Sequence, residues 1–150
     1  MKNIDFKMKT LIAGVFFCVS SSSSFSQIKL TVSNIGTLKG NLRIGIYTSQ
    51  KSFDADKPAY NNDVSFRGMQ VRVSRSTMVI EIDDLPKGDY LIAVFHDINE
   101  NKLFDSNLLG IPLEPYGFSN NARSAFGPPS FEKAKITYAG LPMALDITIK

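Results

Sequence analysis

The chain has one cysteine, Cys18, and one histidine, His96, among its 150 residues. Cys18 falls in a segment read below as a removable leader, so the remaining chain holds no thiol. That excludes disulfides, thiolate metal sites and cysteine nucleophiles from it. Any histidine chemistry must run through His96 alone. A zinc site would have to draw its other ligands from carboxylates, and a serine triad would need Ser119 or Ser130, neither of which sits in an elbow-like motif. A Gly-rich phosphate cradle, a Walker pattern and a basic aromatic stripe are all missing. So is an excess of one charge: 17 Lys and Arg stand against 14 Asp and Glu. Taking away Lys2, Lys7, Lys9 and Asp5 with the leader leaves 14 against 13, a net charge of +1 and no field to draw nucleic acid or an anionic membrane. Helical periodicity is nearly lacking too, with short candidates only at Asp54–Tyr60 and Ser130–Lys135.

The N-terminus has the three parts of a secretory signal. Lys2, Lys7 and Lys9 precede the apolar run Leu11–Val19, which is too short for a permanent membrane span, and small residues at Ser24 and Ser26 flank Phe25. Cleavage is expected near Ser26, making 1–26 a signal peptide and 27–150 one domain without an integral membrane segment, periplasmic or secreted. Lipid attachment at Cys18 would need a small residue before it, and Phe16 and Phe17 stand there instead.

Beyond the leader, apolar and polar residues alternate in short stretches between turn formers, the period of half-buried strands. Ile28, Leu30 and Val32 mark a first strand; Leu42, Ile44 and Ile46 a second, entered through Lys39-Gly40-Asn41. A third runs over Val64–Val73 with Gly68 interrupting it, and Val79–Ile82 is a fourth. After the turn Asp83–Gly88, the nearly all-apolar Tyr90–Phe95 reads as a central strand buried on both faces, and Ile136–Tyr138 and Leu145–Ile149 complete the set. The expectation is all-β: a seven-stranded antiparallel β-sandwich, immunoglobulin-like or transthyretin-like, with one long ordered loop.

That loop, Asp97–Phe131, shows no convincing strand, and a structureless span of such length inside a compact domain is usually functional or misassigned. Phe104, Leu108, Leu109, Ile111, Tyr116, Phe118, Phe126 and Phe131 are expected to order it as a satellite apolar cluster, stiffened by Pro112, Pro115, Pro128 and Pro129. At its start, counting Asp97 as position 1, oxygen-bearing side chains fall at positions 1, 3, 5 and 9 (Asp97, Asn99, Asn101, Asp105), the spacing at which a tight loop aims successive oxygens at one hard cation. The carbonyl of Leu103 would stand at position 7, with Asn107 or Glu114 as further ligands, and Ca²⁺ is the expected ion. This is not the helix-loop-helix pattern, since Lys102 and Leu108 replace its glycine and bidentate glutamate. The competing expectation is that the same Asp and Asn residues only cap turns. His96, next to the loop, is expected to hydrogen-bond it and fix its orientation. Tyr116, Phe118, Asn120 and Asn121 could grip an extended peptide or stack on a sugar, or simply pin the loop.

The run from His96 through Asp97, Asn99, Asn101, Asp105, Asn107, Gly110-Ile111-Pro112, Glu114-Pro115-Tyr116-Gly117-Phe118 to Ser119-Asn120-Asn121 resembles the signature of a family of small exported bacterial proteins, domain of unknown function 2141. Gly127–Phe131 and the earlier Leu85-Pro86, Gly88 and Tyr90 are similar to it too. The resemblance implies export and a β-sandwich, and brings no activity, substrate or catalytic residue with it. The resulting expectation is a non-enzymatic exported module whose calcium-organised loop presents a surface to a protein or glycan. A metal-free structural accessory is the main alternative, and a carboxylate-dependent hydrolase a more distant one.

Overall fold

The computed structural model describes residues 27–56 and 67–150. The leader, its cleavage point near Ser26, Cys18, the end of the expected 54–60 helix and the start of the expected 64–73 strand lie outside the described residues.

Two sheets pack face to face. In the smaller, β1 (Gln27–Ser33) lies between β4 (Met78–Asp83) and β8 (Met143–Thr148). Its strands alternate as the sequence does: Ile28, Leu30, Val32, Ile80, Ile82, Leu145 and Ile147 are buried, while Lys29, Glu81 and Asp146 face solvent. In the larger, the order runs β3 (Arg67–Arg72), β2 (Asn41–Tyr47), β5 (Gly88–Asp97), β6 (Tyr116–Phe118), with β7 (Ile136–Tyr138) also pairing β5. Leu42, Ile44 and Ile46 of β2 and Tyr90, Ile92 and Val94 of β5 meet the smaller sheet's side chains in one core. Burying each such aliphatic side chain stabilises the fold by about 1.5–3 kcal/mol.

The expected sandwich is present in outline, with two corrections. The described residues form eight strands, because Tyr116–Phe118 inside the long loop pairs with β5, and β1 and β8 run parallel rather than antiparallel. A three-residue strand is too short to show a period. Its central Gly117 instead reveals a packing need, since a Cβ there would lie 2.6 Å from Ile147 Cγ2 and 3.1 Å from the Thr148 carbonyl. Tyr116 and Lys150 then exchange two backbone hydrogen bonds, at 3.0 and 3.1 Å, and stitch the sheets together along this edge.

The outer face of the larger sheet is also apolar, which is why β2 and β5 are buried on both sides. Two short helices cover one half of it. α1 (Gln50–Ala55) starts four residues before the expected 54–60 element because Ser49 forms a capping box with Ser52. α2 (Phe131–Ala134) falls within the expected 130–135 segment. Phe53, Phe131 and Ala134 thereby bury Tyr47, Leu91 and Phe118. Over the other half, around Phe95 and Tyr116, the cover is the long loop. Among the described residues no helix is long and apolar enough to cross a membrane.

Candidate functional site

Asp97 is the last residue of β5, and its side chain is 1% exposed. Beyond it the backbone enters the left-handed region twice, at Glu100 (φ 62°) and Lys102 (φ 69°), which winds the loop tightly. Lys102 occupies the position where a glycine would turn without strain, and its conformation costs about 1 kcal/mol. Side chains fix the winding. Lys102 N donates to Asp97 Oδ2 at 3.0 Å, Asn101 N to Asn99 Oδ1 at 3.1 Å, and Leu103 N to Asn101 Oδ1 at 2.8 Å. The amide groups of Asn99 (2.6 Å) and Asn101 (2.9 and 3.0 Å) donate to the Asp105 carboxylate. The structure thus gathers the four side chains of the 1, 3, 5, 9 spacing and holds them by turn-type bonds.

The remaining candidate ligands are used otherwise. Buried Glu114 ties the loop's ends together, accepting from Ile98 N at 3.0 Å and Asp105 N at 3.2 Å. Burial pushes its pKa up, its two backbone donors pull it down, and the charges of Asp105 and Asp97 raise it further. Asn107 faces a separate turn, its side-chain oxygen accepting from Leu109 N at 2.9 Å and Ile111 N at 3.0 Å. Leu103 sits on the exposed outer bend. Among the described residues no three or more His, Cys, Asp or Glu converge as a metal cluster, so any cation here would rely on amide and backbone oxygens as well as carboxylates. Asp97 Oδ1 is buried and has no hydrogen-bond partner, and the same holds for Nδ1 of the preceding His96. Leaving a carboxylate oxygen so is costly, since buried charges are normally paired or bound to metal.

His96 differs from its expectation. Its imidazole is fully buried, and Nε2 donates to the Lys39 carbonyl at 2.6 Å rather than to the acidic loop. It therefore anchors the Lys39–Asn41 turn, whose Gly40 (φ 73°) presses against the backbone of Asp97 and Ile98. Ser119 Oγ donates to the Ala134 carbonyl and accepts from Ile92 N at 3.0 Å, a structural tie in a fully buried position.

Of the residues expected to form a binding surface, two pairs separate. Asn120 donates to the Lys135 carbonyl at 2.8 Å, and Asn121 bonds Asp146 O and Thr148 N of β8, so both amides serve the scaffold. Tyr116 and Phe118 line a cavity of about 560 Å³ on the outer face of the larger sheet. Phe95 floors it, and Phe104 packs between Phe95 and Tyr116 with ring centroids 5.3 and 5.4 Å away. The expected satellite cluster is consequently divided: Phe104, Tyr116, Phe118 and Phe131 pack, while Leu108, Leu109, Ile111 and Phe126 remain exposed. Sequence reading missed Phe95 as a cavity residue because an apolar strand buried on two faces gives no sign of which face is covered by side chains and which by an open loop.

Neither a curated protein nor a solved structure matches the chain. A family model described as an uncharacterized protein conserved in bacteria (DUF2141) matches residues 30–144, and the chain belongs to that family.

Proposed function

We propose that this protein is an exported, non-enzymatic β-sandwich module whose 97–105 loop takes Ca²⁺ and, so ordered, presents a binding surface beside it. The observation that carries the reading is Asp97: one oxygen is held by Lys102 N, and the other is buried without a partner at the head of a loop with Asn99, Asn101 and Asp105 along it. A hard cation would satisfy that oxygen and offset the charge that Asp97 and Asp105 exert on Glu114. With two carboxylates in the spacing set, the affinity is weak, with Kd on the order of 10⁻⁴ to 10⁻³ M. Export rests on the N-terminal pattern and on the family resemblance.

The turn-type bonds support a second reading, in which the loop is a metal-free structural device. The Asn99 and Asn101 amides already donate to Asp105, and each Asn oxygen accepts a backbone amide. Thermal unfolding of the purified protein in EDTA and then in calcium up to ~10 mM, with magnesium as control, separates the two. A Kd near 10⁻³ M predicts a calcium-specific gain of about 1.4 kcal/mol at ~10 mM, several degrees in the midpoint. A flat response leaves the metal-free reading standing and sinks the calcium one.

A further inference from the structure

We infer that the cavity on the outer face of the larger sheet binds a single-chain amphiphile, its apolar chain inside and an anionic end at the mouth. The site extends the binding role proposed above but does not depend on calcium: Ala93, Phe95, Tyr116 and Phe118 reach it from β5 and β6, and the loop that supplies its other walls is already held by the bonds to Asp105 and Glu114.

Three observations select this class of ligand. At about 560 Å³ the cavity is the size of small-molecule sites, which run roughly 300–1,000 Å³. Its side-chain walls offer only the hydroxyls of Ser106 and Tyr116, so a sugar or a peptide backbone entering it would find few partners beyond main-chain groups, and each polar group left unpaired would cost about 1–3 kcal/mol. An apolar chain has no such groups to desolvate. Beside the Tyr116 wall the Arg123 guanidinium, which donates to the Thr148 carbonyl at 3.1 Å, stands 5.5 Å from the centre of the ring on an exposed segment two residues before the lining residue Ala125, so one positive charge lies close to the cavity. The mouth is flanked by Leu109 and Phe126, 84% and 93% exposed, large apolar side chains that a bound chain would partly cover.

The test is titration of the purified protein with dodecanoate and, separately, with dodecanol, in EDTA and again with calcium, following backbone amide shifts by NMR. The expected result is saturable one-to-one binding in both buffers, with shifts concentrated at Ala93, Phe95, Tyr116 and Ala125. Ala93→Leu, which fills the floor, weakens binding at least tenfold. Ala125→Leu, at an exposed position with little bearing on folding, narrows the mouth and weakens it too, which covers the case of an Ala93 variant that fails to fold. Arg123→Gln weakens dodecanoate several-fold and leaves dodecanol unchanged. Absence of saturable binding in both buffers overturns the inference, as does full affinity in a folded Ala93→Leu protein. Equal loss of both ligands in Arg123→Gln overturns the anionic end. Pelleting with phosphatidylglycerol vesicles without uptake of dodecanoate overturns the cavity site in favour of contact between the exposed rim and a membrane surface.

Discussion

A Cβ added to Gly40 would lie 2.1 Å from the carbonyl oxygen of Asp97 and 2.7 Å from Ile98 Cα. The turn between β1 and β2 is thus in direct backbone contact with the start of the acidic loop. The His96–Lys39 hydrogen bond holds that turn in place. Gly40 is required twice over, by the contact and by its φ of 73°.

Gly40→Ala is therefore expected to destabilise the protein by at least ~2 kcal/mol, since the obstructing atoms are backbone and the residue also takes on left-handed strain. Urea unfolding measures it. A change below ~0.5 kcal/mol would show that the turn and the loop separate freely.

The double variant Asp97→Asn with Asp105→Asn keeps one acceptor oxygen at each position, one for Lys102 N and one for the Asn99 and Asn101 amides to share, and removes two clustered charges, one of them buried. In EDTA its unfolding midpoint should equal or exceed that of the parent protein, because repulsion with Glu114 is relieved. In ~10 mM calcium the gain of about 1.4 kcal/mol should disappear. Calcium stabilisation of undiminished size in the double variant would place the ion elsewhere.

Glu114 supplies a pH test. Its folded pKa lies above the ordinary 4.5, chiefly through burial, so the folded state holds a proton over a window in which the unfolded chain has released it. This group's contribution to stability is thus greatest below about 4.5 and declines as pH rises through the folded value. Calcium beside Asp97 and Asp105 should lower the folded value. NMR titration of the Glu114 side-chain carboxyl in EDTA and in calcium reads both effects. A midpoint at or below 4.5 in EDTA contradicts the first, and one that calcium does not move contradicts the second.

Ser119→Ala should cost about 2–4 kcal/mol, because it strands the amide of Ile92 and removes a donor from the Ala134 carbonyl in a fully buried place. Chemical denaturation checks the size of the effect. A loss under ~1 kcal/mol would mean that the long loop's return to the sheet does not depend on this hydroxyl.

Much of the architecture was legible because it is local. Alternation places Ile28, Leu30 and Val32 on one face whatever the strand pairs with, and the spacing of Asp97, Asn99, Asn101 and Asp105 brings their side chains together through bonds that span only a few residues. Pairing direction was not legible, since the parallel register of β1 with β8 joins residues 115 apart, such as Ile28 and Met143, and depends on the route of the whole chain. Nor was β6, where Gly117 matters through Ile147 of the opposite sheet.

The site divides along the same line. The sequence by itself determined that an acidic and amide loop follows a buried strand, because those residues favour turns through contacts with near neighbours. Only the tertiary structure decided that Asp97 Oδ1 is buried without a partner, that His96 reaches Lys39 across 57 residues, and that Phe95 and Tyr116 line a cavity rather than a filled core. Burial and cavities are properties of what distant segments leave between them, and no local pattern encodes them.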